Sequence, residues 1–443
     1  MTRPAPGATT YYVLTATQAL SLIGSQTSWL AVGIAVFRMT GHATPLALTS
    51  VFWAAPRVLL GGLGGALADR IDRRTLMLIA NLGYLATSGL LLGAFMAGAF
   101  EDWQLYALTL VNSVLGAVES PALQASVAML VPDRHRDRAN AIQQLSYPGS
   151  VIVAAALAGV LYAALGVAGA IGVDMVTFVV AIGVLAVVRV PMPPSTDAKP
   201  AAPAGARAAW IGIWRQSLDG FCYLAGAPAL FALCIYISLV SATAGGFFWS
   251  VFTPYLLDRV HATTTFGVVY GVGFSGAILG ALAMAAWGGR WPRIHTVMVS
   301  TLGAGAGVAL VGLARGPVML AAALFWLTFV IPFANAAMTS IFQGQVPADR
   351  QGRVFAAMGQ LTALLAPIAA LGGGPLADQW FEPAVGKPGW SAVAWAVGDT
   401  PGAGIGVMYV IAGLWLVGLT VAVYASRRVR RVEAGSPSVE QPA

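Results

Sequence analysis

The sequence predicts an all-α membrane protein: twelve transmembrane helices in two pseudo-symmetric six-helix halves, with both termini cytoplasmic. Three observations predict it. Charged residues make up 9% of the 443 and hydrophobic ones 58%, whereas a soluble domain carries about 25% charge. Apolar runs of about 20 residues, the length that crosses about 30 Å of hydrocarbon, follow one another at 11–37, 45–67, 75–99, 103–130, 139–164, 167–188, 229–256, 263–286, 294–313, 317–343, 354–378 and 404–424. With both ends inside, nineteen Lys and Arg fall in inner segments and four (Arg38, Arg259, Arg315 and Lys387) in outer ones, the bias that sets orientation. The remaining one, Arg57, lies within a run.

The first run follows Arg3 and a stretch rich in Pro and Gly, and is too long for a signal-peptide core, so a retained helix is expected. Gln18, Ser21, Ser25 and Ser28 share one face of it, a polar stripe that either lines a cavity or bonds to neighbouring helices. Between the second and third runs, Asp69, Arg70, Asp72, Arg73 and Arg74 crowd into a short loop. The fourth run carries Asn112, Gly116 and Glu119 at i, i+4 and i+7, and the sixth carries Asp174. Six prolines and lysines punctuate the stretch after Arg189, which divides the chain into a half at 1–188, a linker at 189–228, a second half at 229–426 and a disordered tail at 427–443. In the second half Phe248 and Phe252 recur at i, i+4, while Trp326, Phe329 and Phe333 recur at i, i+3, i+7 with Asn335 just beyond. Such stripes serve packing or binding. With Gln18, Ser21, Ser25 and Asn112 they are assigned to a substrate cavity for a molecule with a large apolar part.

Other classes of function are disfavoured. The basic residues sit in short loops rather than on one face, which fits lipid headgroups better than nucleic acid. Gly271 to Gly276 reads G-x-G-x-x-G but lies inside an apolar helical run with no preceding strand, so close helix packing is the expected use. His42, His135, His261 and His295 are scattered, and no metal-ligand set, phosphate loop or nucleophile–base pair is visible. No cofactor and no enzymatic activity are expected. Cys222 and Cys234 flank the inner entry of one helix, a poor setting for a disulfide.

Ionisable groups at membrane depth are costly and usually functional, which singles out Glu119, Arg57 and Asp174 for proton coupling or charge relay. Glu119 is either a carboxyl that takes up and releases a proton or one locked in a pair with Arg57. Arg57 either binds an anionic substrate or serves as counter-ion; a bond to an acid or a backbone carbonyl is expected, Glu119 first among them. Asp174 is expected to make a structural bond between helices, or else to lie in the outer vestibule.

The loop Gly65-Ala66-Leu67-Ala68-Asp69-Arg70-Ile71-Asp72-Arg73-Arg74 resembles the one between helices 2 and 3 of the major facilitator superfamily, roughly G-x-L-a-D-r-x-G-r-r. Asp72 stands where the motif has its second Gly, whose left-handed conformations Asp adopts less readily. Val131-Pro132 to Arg138 and Val346-Pro347 to Arg353 form an internal repeat, as expected of parallel halves. Glu119-Ser120-Pro121-Ala122, Ala139 to Gln144, Asp174 to Phe178 and Gly352 to Ala356 resemble the exporter branch that includes macrolide efflux proteins and enterobactin exporters. The Arg-centred helix-4 motif of many drug antiporters is absent, and Pro148-Gly149 replaces the helix-5 motif G-P-x-x-G-G. The resemblance implies a monomeric secondary exporter of amphipathic small molecules in the bacterial cell membrane, with protons and the bilayer as its other partners. An importer or lipid flippase of the same fold, or a non-transporting receptor, is the alternative. It further implies a conformational switch of Gly65, Asp69, Arg70, Arg73, Arg74, Asp133 and Arg353. In it Asp69 meets unpaired N–H groups near Arg353 and Val354, and Arg73 reaches Asp133.

Overall fold

The computed structural model describes residues 6–68, 71–130, 136–188, 219–260, 262–430 and 432–435. Among these residues there is no strand, and nine helices are long and apolar enough to cross a membrane. The chain forms two compact units, Met1–Ile213 with Val260–Gly271, and Trp214–Arg259 with Val272–Ala443.

In the first unit the helices are α1 (Pro6–Thr40), α2 (Thr44–Ala68), α3 (Arg73–Met96), α4 (Asp102–Leu130) and α5 (Arg136–Val187). Asp72 explains the start of α3. Its backbone is extended at φ −53° and its carboxylate accepts from Thr75 N at 3.2 Å and Thr75 Oγ1 at 2.9 Å. This is an N-cap, so the position where the loop motif has Gly requires no left-handed conformation here. Within α5 the backbone breaks at Gly166, φ 66° and ψ −165°, a conformation that glycine adopts without a Cβ clash. The break falls between the expected fifth and sixth runs. The guanidinium of Arg74 closes the far end of α5, donating from Nε to Leu185 O at 2.6 Å and from Nη2 to Ala186 O, carbonyls that a helix end leaves without partners. Helix α1 runs along α5, α2 along α4, and α3 packs on both α4 and α5. Gly24 sets the closest approach of α1: a Cβ there would lie 2.5 Å from Thr177 Oγ1 and 3.2 Å from Asp174 Cα.

The second unit contains α6 (Pro228–Val240), a π-helical turn at Ser241–Phe247, α7 (Phe252–Val260), most of α8 (Thr263–Trp287), α9 (Arg293–Leu313), α10 (Pro317–Gln345), α11 (Ala348–Leu376), α12 (Ser391–Val397) and α13 (Ala403–Ala425). Small residues let its backbones touch. A Cβ on Gly312 would sit 2.3 Å from Gly406 O and one on Gly413 2.5 Å from Gly305 O, joining α9 to α13. Gly276 and Gly280 do the same between α8 and α10, with Phe325 O at 2.2 Å and Phe329 O at 2.1 Å. The G-x-G-x-x-G stretch is thus a packing surface.

Two boundaries differ from the sequence reading. The stretch assigned to a linker at 189–228 is helical over 219–225, with Leu224 fully buried in the core; residues 189–218 lie outside the description. The tail assigned as disordered from 427 forms helical turns at Arg427–Arg430 and Val432–Gly435, with Val429 and Val432 in the core. Glu433 caps α9, accepting from Arg293 N at 3.2 Å and Ile294 N at 3.3 Å. Two valines and one acid in a charged stretch are too weak a pattern to reveal docking from sequence.

Candidate functional site

Two buried carboxyls organise the first unit. Glu119, on α4, is 9% exposed, and Asp174, in the second segment of α5, is 4% exposed. Each is met by donors from α1 and α3. Glu119 Oε1 accepts from Gln18 Nε2 at 3.2 Å and Asn81 Nδ2 at 3.1 Å, and Oε2 accepts from Tyr84 OH at 2.9 Å. Asp174 Oδ1 accepts from Ser25 Oγ at 3.0 Å and Oδ2 from Ser88 Oγ at 3.2 Å. All five donors are neutral. The Tyr84 ring rests 5.4 Å from Phe178, one turn beyond Asp174, so the two sites are joined by packing as well as by shared helices.

Local sequence explains the placement. Gln18 and Ser25 lie seven residues apart on α1, two turns or ~10.5 Å along the axis, and so share the face that meets both carboxyls. The serine stripe of α1 is therefore divided: Ser25 bonds Asp174, while Ser21 is buried in the helix interface. On α3, Asn81, Tyr84 and Ser88 share a face at i, i+3 and i+7. This polar stripe inside an apolar run carries three of the five donors, and its spacing was available in the sequence. Asn112, one polar step from Glu119, accepts from Thr87 Oγ1 at 2.7 Å.

The expected Arg57–Glu119 bond is not formed. Among the described residues Arg57 makes no ion pair; its guanidinium lies over the Trp53 ring at 4.3 Å and its side chain is exposed. The Glu119 oxygens are met instead by three neutral donors from α1 and α3, while the guanidinium is held on the Trp53 ring. Gly116 makes room for the guanidinium against α4, since a Cβ there would stand 3.0 Å from Arg57 Nη2 and 3.3 Å from Tyr84 OH.

The aromatic part of the expected cavity also needs correction. Phe248 and Phe252 are 0% and 1% exposed and belong to a packed cluster with Tyr409 and Trp249, at 4.7 Å from Phe248 to Tyr409 and 5.1 Å between the two phenylalanines. Trp326 donates from Nε1 to Gly303 O at 2.9 Å, tying α10 to α9. It heads a ladder with Phe329 and Phe333, whose last rings are 5.6 Å apart. Asn335 is exposed.

Of the expected switch, Asp69, Arg70 and Asp133 lie outside the described residues, and at Gly65 only the helical backbone is described. Arg73 opens α3 and Arg74 caps α5. Arg353 sits inside α11, which begins at Ala348, so the N–H groups without helical partners are those of the first turn rather than of Arg353 and Val354. The Arg353 side chain meets Asp219 at 3.5 Å.

A family model described as Major Facilitator Superfamily matches residues 14–371. The chain is similar to macrolide efflux protein A of Streptococcus pyogenes, 25% identical over 388 residues that cover 84% of this chain and 91% of the relative. It is also similar to the enterobactin exporter EntS of Shigella boydii, 26% identical over 368 residues that cover 76% of this chain and 82% of the relative. A solved point mutant of the nucleoside transporter NupG superposes with a TM-score of 0.73 at 12% identity, covering 94% of this chain and all of the other.

Proposed function

The chain belongs to the Major Facilitator Superfamily, a family of transporters and not of enzymes, and from that premise we propose that it exports amphipathic small molecules in exchange for protons. It is a multi-pass protein of the cell membrane. Twelve crossings with both ends inside fit the structure once α2, α4 and the two segments of α5 about Gly166 are counted with the other long helices. Efflux relatives at about a quarter identity support export. Alternating access of two six-helix halves supplies the cycle.

The observation that carries proton coupling is a buried carboxyl, Glu119, held by Gln18, Asn81 and Tyr84 and, among the described residues, bonded to no cation. Neutral donors hold the carboxyl in place in either protonation state: the tyrosine hydroxyl can accept from a protonated acid as readily as donate to a carboxylate. Such a site can therefore load and unload a proton without losing its place. Asp174, with two hydroxyl donors and deeper burial, acts as a brace between α1, α3 and α5.

Inverted membrane vesicles with an acidic interior test the reading. The native chain should accumulate an amphipathic substrate inside, whereas Glu119→Gln should exchange substrate down its gradient but not accumulate it. Undiminished accumulation by Glu119→Gln overturns the proton assignment, and uptake only under the opposite gradient overturns the direction.

A further inference from the structure

We infer that Arg57, laid on the face of Trp53, receives an anionic group of a substrate whose remainder is planar and apolar; this deepens the exporter reading and rests on it. Arg57 stands near the middle of α2, thirteen residues from Thr44 and eleven from Ala68. At 1.5 Å per residue that is ~16 Å or more from either end, farther than a snorkelling side chain brings its charge. A guanidinium at that depth, on a residue that keeps exposed surface, requires water or a polar ligand rather than lipid. Structural pairing does not account for it: the Glu119 oxygens are held by Gln18, Asn81 and Tyr84, and Arg57 has no ion pair among the described residues.

The surroundings are those of a ligand site. Trp53 is 51% exposed, so its ring is available beside the guanidinium that covers it at 4.3 Å, and Ser113 Oγ fixes the local backbone by donating to Trp53 O. Glu119, Tyr84 and Tyr147 lie within electrostatic reach of Arg57, and the Tyr147 ring is 55% exposed. Gly116 lets the guanidinium pack on the backbone of α4 and so fixes its position beside Tyr84. A flat, five-donor cation with an exposed indole and a phenol beside it matches an acidic group carried on an aromatic frame. A cationic amphiphile would meet repulsion from Arg57 before reaching the buried Glu119.

Equilibrium binding of two dyes to the purified full chain tests this, using fluorescein as the anionic xanthene and rhodamine 6G as the cationic one, read by anisotropy. The native chain should bind fluorescein about 10-fold or more tightly than rhodamine 6G. Arg57→Gln should weaken fluorescein by about 10-fold or more, the loss of a charged hydrogen bond, with rhodamine 6G unchanged or tighter. Arg57→Lys, which keeps the charge but loses the flat stack, should fall between, and serves as the test if Arg57→Gln does not fold. Fluorescein bound no better than rhodamine 6G by the native chain, or equally well by the folded variants, overturns the inference. Failure of the exporter reading appears elsewhere, as absence of proton-driven accumulation with the dye preference intact.

Discussion

Replacing Glu119 by Ala and by Gln separates what the carboxyl holds from what its proton does. Ala removes the acceptor of three donors. Asn81 Nδ2 keeps a second acceptor, Met77 O at 2.8 Å, whereas Gln18 Nε2 and Tyr84 OH have Glu119 as their partner. A buried donor left without an acceptor costs about 1–3 kcal/mol; Gln18 and Tyr84 are half-buried and regain part of this from water, so together they predict a loss of about 2 kcal/mol for Glu119→Ala. For a unit of this size about 1 kcal/mol moves the midpoint by ~2–4 °C, which puts the shift at ~6 °C. Gln keeps the shape, accepts from Gln18 and Asn81 through its carbonyl, and offers its amide to the Tyr84 hydroxyl, which can turn to accept. Its midpoint should stay within ~2 °C of the native chain or rise. Thermal unfolding of the purified chain in detergent reads both. If Ala and Gln unfold at the same temperature, the three donors do not depend on the carboxyl, and the description of Glu119 as the hub of α1, α3 and α4 is wrong.

Three further outcomes are expected. Asp174→Asn should transport and fold like the native chain, because the amide can serve Ser25 and Ser88 alike, while Asp174→Ala should lower the unfolding temperature; abolished transport in a stable Asn variant would instead make Asp174 a proton carrier. Gly312→Ala should destabilise by about 1–3 kcal/mol through overpacking against Gly406 O, whereas Gly93→Ala, with open space around its Cα, should gain up to about 1 kcal/mol from helix propensity; equal midpoints would contradict the packing account. Burial pushes Asp258 up from 3.8 to about 7, with Glu382 and Asp378 adding to the effect and Arg259 opposing it. The folded state therefore holds a proton that the unfolded chain releases, so this contribution to stability is present below about 3.8 and is lost as pH rises through about 7. Asp258→Asn should flatten that slope between the two values, and an unchanged pH profile would refute it.

Element identity was legible in the sequence where one period ran without interruption. The apolar runs, the break near Gly166 and the polar face of α1 all follow from length and spacing. The polar face of α3 followed the same rule and was passed over, because Asn81, Tyr84 and Ser88 look like ordinary interruptions of an apolar run until an acid is seen opposite them. The partner of Arg57 was misread for another reason. Charge alone suggests a pair with Glu119, but sequence does not reveal that neutral donors converge on that acid from two other helices. Spacing at i, i+4 is the same for a cavity face and a packed face, and the rings that meet Phe248, those of Trp249, Phe252 and Tyr409, include one from a distant helix, a tertiary fact. Docking of 219–225 and of Val429 to Glu433 depends on which core patch is vacant, a tertiary fact with no local period.

The shared clamps bear on why two acids are present. Glu119 and Asp174 hang from the same pair of helices, α1 through Gln18 and Ser25 and α3 through Asn81, Tyr84 and Ser88. A shift of α1 against α3 must therefore alter the donors at both carboxyls together, since neither set is confined to one helix. The two ends differ in access. Each end mixes half-buried and buried donors, Gln18 and Tyr84 with Asn81 at Glu119 and Ser25 with Ser88 at Asp174, but Gly24 closes α1 onto the backbone at Asp174. Water can reach the Glu119 end by small movements of two long side chains, whereas reaching Asp174 requires separating helices whose backbones are already in contact. That difference supports the proposal that Glu119 exchanges the proton and that Asp174 is the pivot that keeps α1 and α3 in step.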